Sequence, residues 1–328
     1  MRIAVTGSIA TDHLMTYPGR FIDHLIDNQL HKVSLSFLAD TLEVRRGGVA
    51  ANIALGLARL GLTPVLVGAV GKDFAEYGAW LGAQGVDTRS VYVSESLHTA
   101  RFVCTTDLDH NQLATFYAGA MAEARRIHLT EVQERSGKPD LVVVAPNDPA
   151  AMLSLTDECR RRGVPFAADP SQQLARLQPA EVKLLVDGAR FLFTNEYEAA
   201  LLQERTGWPE EQLVQRVGAW IITCGAEGAK ILRAGESALH VKAAPTHAAV
   251  DPTGVGDAFR SGFLAGTAMG LSDVYAAQLG CVLATIVLEV VGTQGYEIAR
   301  AGLLSRAEEA YGPVAAQQIG PCLRAFPR

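Results

Sequence analysis

The apolar positions of the chain fall into two alternating kinds of run. Short, almost continuously apolar stretches occur at 2–6 (RIAVT), 64–70 (PVLVGAV), 141–145 (LVVVA), 165–170 (PFAADP), 191–195 (FLFTN) and 220–224 (WIITC). Strands covered on both faces read this way. Between them lie segments with helical spacing. One is 50–60, stopped by Gly61; another is 74–84, with Asp73 as its expected cap and Gly85 at its end; a third is 151–162, closed by Gly163. The alternation predicts an α/β fold in three layers, with helices on both faces of a mainly parallel central sheet.

Two segments break the rhythm. In 31–46, Val33, Leu35 and Phe37 alternate with Ser34 and Ser36, which predicts a half-exposed strand. In 99–117, two β-rich stretches flank the turn-like DLDHN, which predicts a hairpin. Both lie in the first third of the chain and imply a small antiparallel sheet beside the main one. No internal repeat or low-complexity linker divides the 328 residues. The expected organisation is therefore a large α/β core, 1–12 with 47–90 and 120–328, interrupted by a small β lid, 13–46 and 91–119. A sheet with one uncovered apolar face needs a second surface, and the expectation is a homodimer in which two lids cover each other.

Composition narrows the function classes. With 48% hydrophobic and 20% charged residues, the chain can bury a core and is not disordered. A net charge of −6 argues against a nucleic-acid partner, which calls for a basic footprint. The apolar run 276–291 contains Gln278 and Glu289 and is shorter than the ~20 residues a membrane span needs. The opening MRIAVTGSIATDHL does not have the pattern of a signal peptide. Five scattered cysteines form no CxxC pair, and the histidines show no HxxxH spacing, so neither zinc nor a disulfide framework is expected. The reading is a soluble cytoplasmic protein that binds no membrane.

Candidate chemistry centres on glycine loops. GAVGKD at 68–73 fails as a phosphate loop, because Leu66 stands where the first glycine belongs and Asp73 where Ser or Thr would meet the metal. No G-x-G-x-x-G occurs around Gly7 or Gly254, which disfavours a dinucleotide-dependent oxidoreductase. Asp251-Pro252-Thr253-Gly254-Val255-Gly256-Asp257 is different, because a small-residue helical pattern follows it. Glycines there let backbone N–H groups approach an anion at a helix N-terminus. A carboxylate beside an anion site is a poor phosphate ligand but a reasonable general base for an attacking hydroxyl. Asp257 as a plain partner of the helix dipole is the competing reading.

DPTGVGDAF resembles the C-terminal signature of the ribokinase-like (PfkB) sugar and nucleoside kinases. Gly47-Gly48-x-x-x-Asn52, Asn195-x-x-Glu198 and Thr223-x-Gly225-x-x-Gly228 resemble three further motifs of that family, in its order. Within it, GSIATDHL (7–14), HKVSLSFL (31–38) and DPSQQL (169–174) look most like the adenosine kinases of mycobacterial-type actinobacteria. The absence of Asp-x-Asn-x-Arg at 169–173 argues against a phosphosugar or keto acid.

The resemblance implies ATP-dependent phosphorylation of the adenosine 5′-hydroxyl, with a free-sugar kinase acting on ribose or fructose as the alternative. It implies Asp257 as base, with Gly254, Val255 and Gly256 forming an anion hole. Ser8, Asp12, Gly48 and Asn52 would hold the ribose. Asp12 suits a diol because an ionised carboxylate only accepts hydrogen bonds. Phe102 and Phe116 would stack on the base, and Gln172 and Gln173 would read its edge. Asn195, Thr223, Gly225, Gly228 and Thr253 would line the ATP phosphates. Glu198 would hold Mg²⁺, through water, and Asp251 would lie beside a monovalent cation such as K⁺. Plainer readings stand beside these: helix caps for Asp12, Asn52, Asn195 and Glu198, a β-turn for 223–228, and packing for the two phenylalanines.

Overall fold

The computed structural model describes residues 1–25, 32 and 34–325. In chain order the strands are β1 (Ile3–Thr6), β2 (Ala10–Thr16), β3 (Thr41–Gly47), β4 (Val65–Val67), β5 (Ala69–Val70), β6 (Tyr92–Val93) and β7 (Ala100–Thr106). They continue with β8 (Gln112–Tyr117), β9 (Leu141–Val144), β10 (Phe166–Ala168), β11 (Phe191–Asn195), β12 (Trp220–Thr223), β13 (Ala229–Leu232) and β14 (Leu239–Val241). An eight-stranded sheet takes the order β14-β13-β12-β11-β10-β9-β1-β4. It is parallel from β4 to β12, and β13 and β14 are antiparallel.

Side-chain alternation builds a core on each face of this sheet. Along β9, Leu141 and Val143 enter one core, while Val142 and Val144 enter the other. The first core is closed by helices Val49–Arg59, Val255–Ala268 and Asp273–Leu288. The second is closed by helices Pro149–Arg161, Pro179–Val186 and Glu196–Thr206. The three-layer arrangement expected from the apolar runs is thus observed. Asp148 caps the helix that follows it by accepting from the Ala151 N–H at 3.2 Å, with Pro149 in the first turn. Among the described residues, no helix is long and apolar enough to cross a membrane.

A separate four-stranded sheet has the order β3-β2-β7-β8. The 99–117 hairpin is present, and its turn is tied by Asp107, which accepts from the Asp109 and Asn111 N–H groups. The strand expected over 31–46 is displaced. Residues 34–39 have no regular structure, and the strand is Thr41–Gly47. Phe37 is held by an aromatic cluster with Tyr17, Phe21 and His24, so the alternating serines are not part of a ladder. His31 and Val33 lie outside the described residues. Asp73 also departs from expectation. It caps no helix and instead accepts from the Thr99 N–H, the Thr99 hydroxyl and Arg101.

Helices Val255–Ala268 and Asp273–Leu288 cross through a glycine contact. A Cβ on Gly262 would lie 2.6 Å from the Gly280 Cα, closer than packing allows. This contact sets the direction in which the helix after Gly254 leaves the sheet. Gly262→Ala is expected to lower stability by about 1–3 kcal/mol through overpacking. A fall in the urea midpoint at unchanged m-value would show it.

Candidate active site

The loops at the carboxyl ends of the parallel strands converge: Gly7-Ser8 after β1, Pro146 after β9, Asp169 after β10, Asn195 ending β11 and Thr223 ending β12. Open parallel sheets place their ligand crevices at this end. Two cavities occupy it, of about 640 Å³ and 340 Å³. Both are lined by Val49, Gly254 and Asp257. A group held in one therefore meets a group held in the other across Asp257.

The larger cavity lies between the four-stranded sheet and the core. Arg45, Asp12, Phe102 and Phe116 stand opposite one another across β3, β2, β7 and β8, so they share one face. All four line the cavity, together with Ser8, Gly48, Asn52, Gln172, Gln173 and Thr253. Burial raises the Asp12 carboxyl above its ordinary range, with Arg45 and His13 pulling the other way. Gln173 is buried, and its side-chain oxygen has no hydrogen-bond partner. The Ser8 hydroxyl oxygen accepts from the Val49 N–H at 3.0 Å, joining β1 to the helix Val49–Arg59. Gly48 has a φ of 98°, and a Cβ there would lie 2.6 Å from the Ser8 carbonyl oxygen and the Ala10 nitrogen. The residue must be glycine because the chain's own backbone passes so close.

Asn52 is more fully engaged than its sequence position implied. Its Nδ2 donates to Asp257 Oδ2 at 2.8 Å. Its Oδ1 accepts from the Thr293 hydroxyl at 3.0 Å and from Gln294 Nε2 at 2.8 Å. It therefore orients the Asp257 carboxylate. Burial pushes that carboxyl up to about 6, against the opposing effects of the Arg260 charge and the Asn52 amide. Asp257 stands in the first turn of Val255–Ala268, whose first i→i−4 bond runs from the Ala258 N–H to the Gly254 carbonyl. The N–H groups ahead of that bond form an anion-binding end. Gly254 is left-handed, with φ 79°.

The smaller cavity is lined by Asn195, Glu198, Thr223, Gly225 and Gly256 on one side and by Asp169 and Arg260 on the other. Asn195 and Glu198 form a capping box. Asn195 Oδ1 accepts from the Glu198 N–H at 2.7 Å, and Glu198 Oε2 accepts from the Asn195 N–H at 2.8 Å. The cap is thus real, and it also fixes Glu198 at the cavity wall. Among the described residues no group of three or more His, Cys, Asp or Glu could enclose a metal. Carboxylates spaced around a phosphate cavity without enclosing an ion fit Mg²⁺, which keeps most of its waters. Gly228 lines neither cavity. It belongs to the turn between β12 and β13, where a Cβ would collide with the Val241 carbonyl oxygen at 2.1 Å. Val255 also lines neither cavity and packs on the core.

Asp251 makes contacts beyond those expected of a cation ligand. Oδ1 accepts from the Thr253 N–H and Oδ2 from the Gly292 N–H, both at 2.9 Å, and Arg45 Nη1 is 3.8 Å from Oδ2. Burial opposes its charge, but these partners hold the carboxyl below its ordinary range. Each carboxylate oxygen accepts one backbone N–H and keeps a lone pair, so a monovalent cation beside Asp251 would share these oxygens with the loop contacts. The side chain pins the glycine loop to the 291–295 loop.

Sequence reasoning missed Arg45, Thr293, Gln294 and the Asp169–Arg260 pair. Thr293 and Gln294 carry no local motif. Arg260 left one visible trace, a lone charge three residues after Asp257 in an otherwise small and apolar helix.

Comparison with known proteins agrees with this geometry. The model of the pfkB family of carbohydrate kinases matches residues 7–299. The nucleoside kinase of Methanothermobacter thermautotrophicus is 32% identical over 252 residues, 76% of this chain and 80% of the relative. The structure of Burkholderia thailandensis nucleoside kinase with inosine is 35% identical, with a TM-score of 0.81 over 94% of this chain and 98% of that one. The same protein with ADP and inosine superposes with a TM-score of 0.80, covering 94% of this chain and 96% of that one. From its two-cavity site and a family match that spans nearly its whole length, the chain belongs to the pfkB family of carbohydrate kinases, as a phosphotransferase acting on nucleosides or sugars.

Proposed function

We propose that the chain is an adenosine kinase, transferring the γ-phosphoryl group of ATP to the adenosine 5′-hydroxyl and giving AMP and ADP, a reaction of purine salvage. The observation that carries the reading is the sharing of Gly254 and Asp257 by the two cavities. Nucleoside in the larger cavity and phosphates in the smaller one would place the acceptor hydroxyl and the γ-phosphorus on either side of one carboxylate. The nucleoside-sized volume, Phe102 and Phe116 as base platforms, and the inosine complex of the Burkholderia kinase support a nucleoside over a bare sugar. The buried, unpartnered oxygen of Gln173 suits the 6-amino group of adenine as donor.

The chemistry follows from these positions. Asp12 accepts hydrogen bonds from the ribose hydroxyls. Asn52 holds Asp257 toward the 5′-hydroxyl, and Asp257 takes its proton as the oxygen forms a bond to the γ-phosphorus. The bond from that phosphorus to the bridging oxygen breaks, and ADP leaves. The N–H groups of the Gly254–Asp257 turn stabilise the charge in transit. When bound, Mg²⁺ at Glu198 neutralises phosphate charge. The four-stranded sheet β3-β2-β7-β8 acts as the lid that excludes water, so that ATP is not hydrolysed.

The lid's outer face supports a homodimer. Leu42, Val44 and Leu113 are exposed on it, on the side away from Asp12. A second copy covering the same face would bury them. Light scattering at micromolar concentration should give twice the 35.0 kDa chain mass. A monomer mass would reject the dimer.

Phosphorylation assayed side by side on adenosine, inosine, guanosine, ribose and fructose tests the substrate. Adenosine should be turned over with the highest kcat/KM, and preference for ribose or fructose would overturn the reading. Asp257→Asn should lower kcat by roughly 10²–10⁴-fold while adenosine still binds. The wild-type rate should fall as the pH drops through about 6, because protonation of Asp257 removes the base. A flat profile between about pH 5 and about pH 7, roughly one unit either side of that value, would contradict the assignment.

A further inference from the structure

Triphosphate entering the smaller cavity meets an adverse charge balance. Three carboxylates line it, those of Asp169, Glu198 and Asp257, and among the described residues Arg260 is the one cationic side chain in its wall. Arg260 is buried, as is Asp169, and Arg260 Nη2 donates to Asp169 Oδ1 at 2.7 Å. The pair is incompletely satisfied. Arg260 Nε and Asp169 Oδ2 have no hydrogen-bond partner. Burying a donor of a charged group without an acceptor is costly, so a purely architectural pair would be expected to use these atoms.

The guanidinium also sits directly against the glycine turn. A Cβ on Gly256 would lie 2.8 Å from Arg260 Nη1. A side chain at position 256 would have to displace the guanidinium. Arg260 follows Asp257 by three residues on the same helix, which carries it back to the same cavity. Its guanidinium carbon lies 5.8 Å from the Phe193 ring centroid.

We propose that Arg260 is a further catalytic residue of the transfer, its guanidinium, steadied by Asp169, facing the γ-phosphoryl group as it passes from ATP to the acceptor. Arginine suits the role because its charge is permanent and its planar fork matches phosphate oxygens. The remaining groups around it are Asp257 on its own helix, Asp169 after β10, Glu198 at the start of helix Glu196–Thr206, and the ring of Phe193 on β11. Asp169 keeps the guanidinium from collapsing onto Asp257, which must stay available to the hydroxyl. The proposal rests on phosphoryl transfer at this site, but not on which acceptor is preferred.

The test compares Arg260→Lys, Arg260→Met and the double variant Arg260→Met/Asp169→Leu with the wild type, using whichever acceptor the wild type turns over fastest. A change of preferred acceptor would then defeat the adenosine reading and leave this comparison intact. The double variant replaces the buried ion pair by apolar groups, which folded proteins commonly accept. Loss of a charge-stabilising donor is expected to reduce its kcat by about 10²–10³-fold. The acceptor KM and the calorimetric affinity for ADP should stay within about threefold. ADP binding in the presence of acceptor and aluminium fluoride, a mimic of the phosphoryl in flight, should lose its tightening in both Met variants. Arg260→Lys should retain part of it. Retention of kcat within about tenfold by the folded double variant would overturn the proposal. So would parallel loss of ADP and acceptor binding, or failure of the double variant to fold, since each assigns the pair to architecture.

Discussion

The constraint on which this structure turns is the confinement of one partly buried carboxylate where two helices begin. Asp257 stands partly buried at the start of helix Val255–Ala268, and its Oδ2 is held by Asn52 from helix Val49–Arg59. Both helices are preceded by glycines at positive φ, Gly48 and Gly254. Their N-terminal ends point positive dipole toward the same small volume. That field makes a place for an anion, and the carboxylate beside it makes the place reactive. Burial alone would tend to neutralise Asp257; the amide of Asn52 and the charge of Arg260 limit the rise.

The rest of the fold keeps this meeting point from drifting. Thr293 and Gln294 lock the other end of the Asn52 amide, and the Tyr77 hydroxyl ties Gln294 to the Gly47 carbonyl through hydrogen bonds to both. Asp251 joins the glycine turn to the 291–295 loop by its contacts to Thr253 and Gly292. Beneath them, the Gly262–Gly280 contact brings two helices of the first core within backbone distance. The reactive centre is precise because its supports are short polar bonds and close-packed glycines, which have few alternative arrangements.

Much of this was legible beforehand. The parallel strands were readable because each is an almost continuous apolar run, and the 99–117 hairpin because its turn residues interrupt a β-rich run. The glycine turn and Asp257 stood out because spacing within a few residues carries the chemistry. Local signals failed where long-range contacts decide. The 31–46 segment alternates like a strand, yet Phe37 belongs to an aromatic cluster with residues 17–24, and pairing begins at Thr41. Asp73 looked like a cap and is instead engaged by Thr99 and Arg101.

The sequence by itself determined the element types, the family and the residues at the glycine turn, because each depends on periodicity or on neighbours a few positions apart. Only the tertiary structure decided how those residues are used. Asn52 meets Asp257 across 205 positions of chain, and Asp169 meets Arg260 across 91. Asp251 also serves as a loop tie, because Gly292, 41 residues away, brings its N–H to the carboxylate. Contacts of that range are set by the order in which strands lie in the sheet, and no local pattern in the chain encodes the pairing.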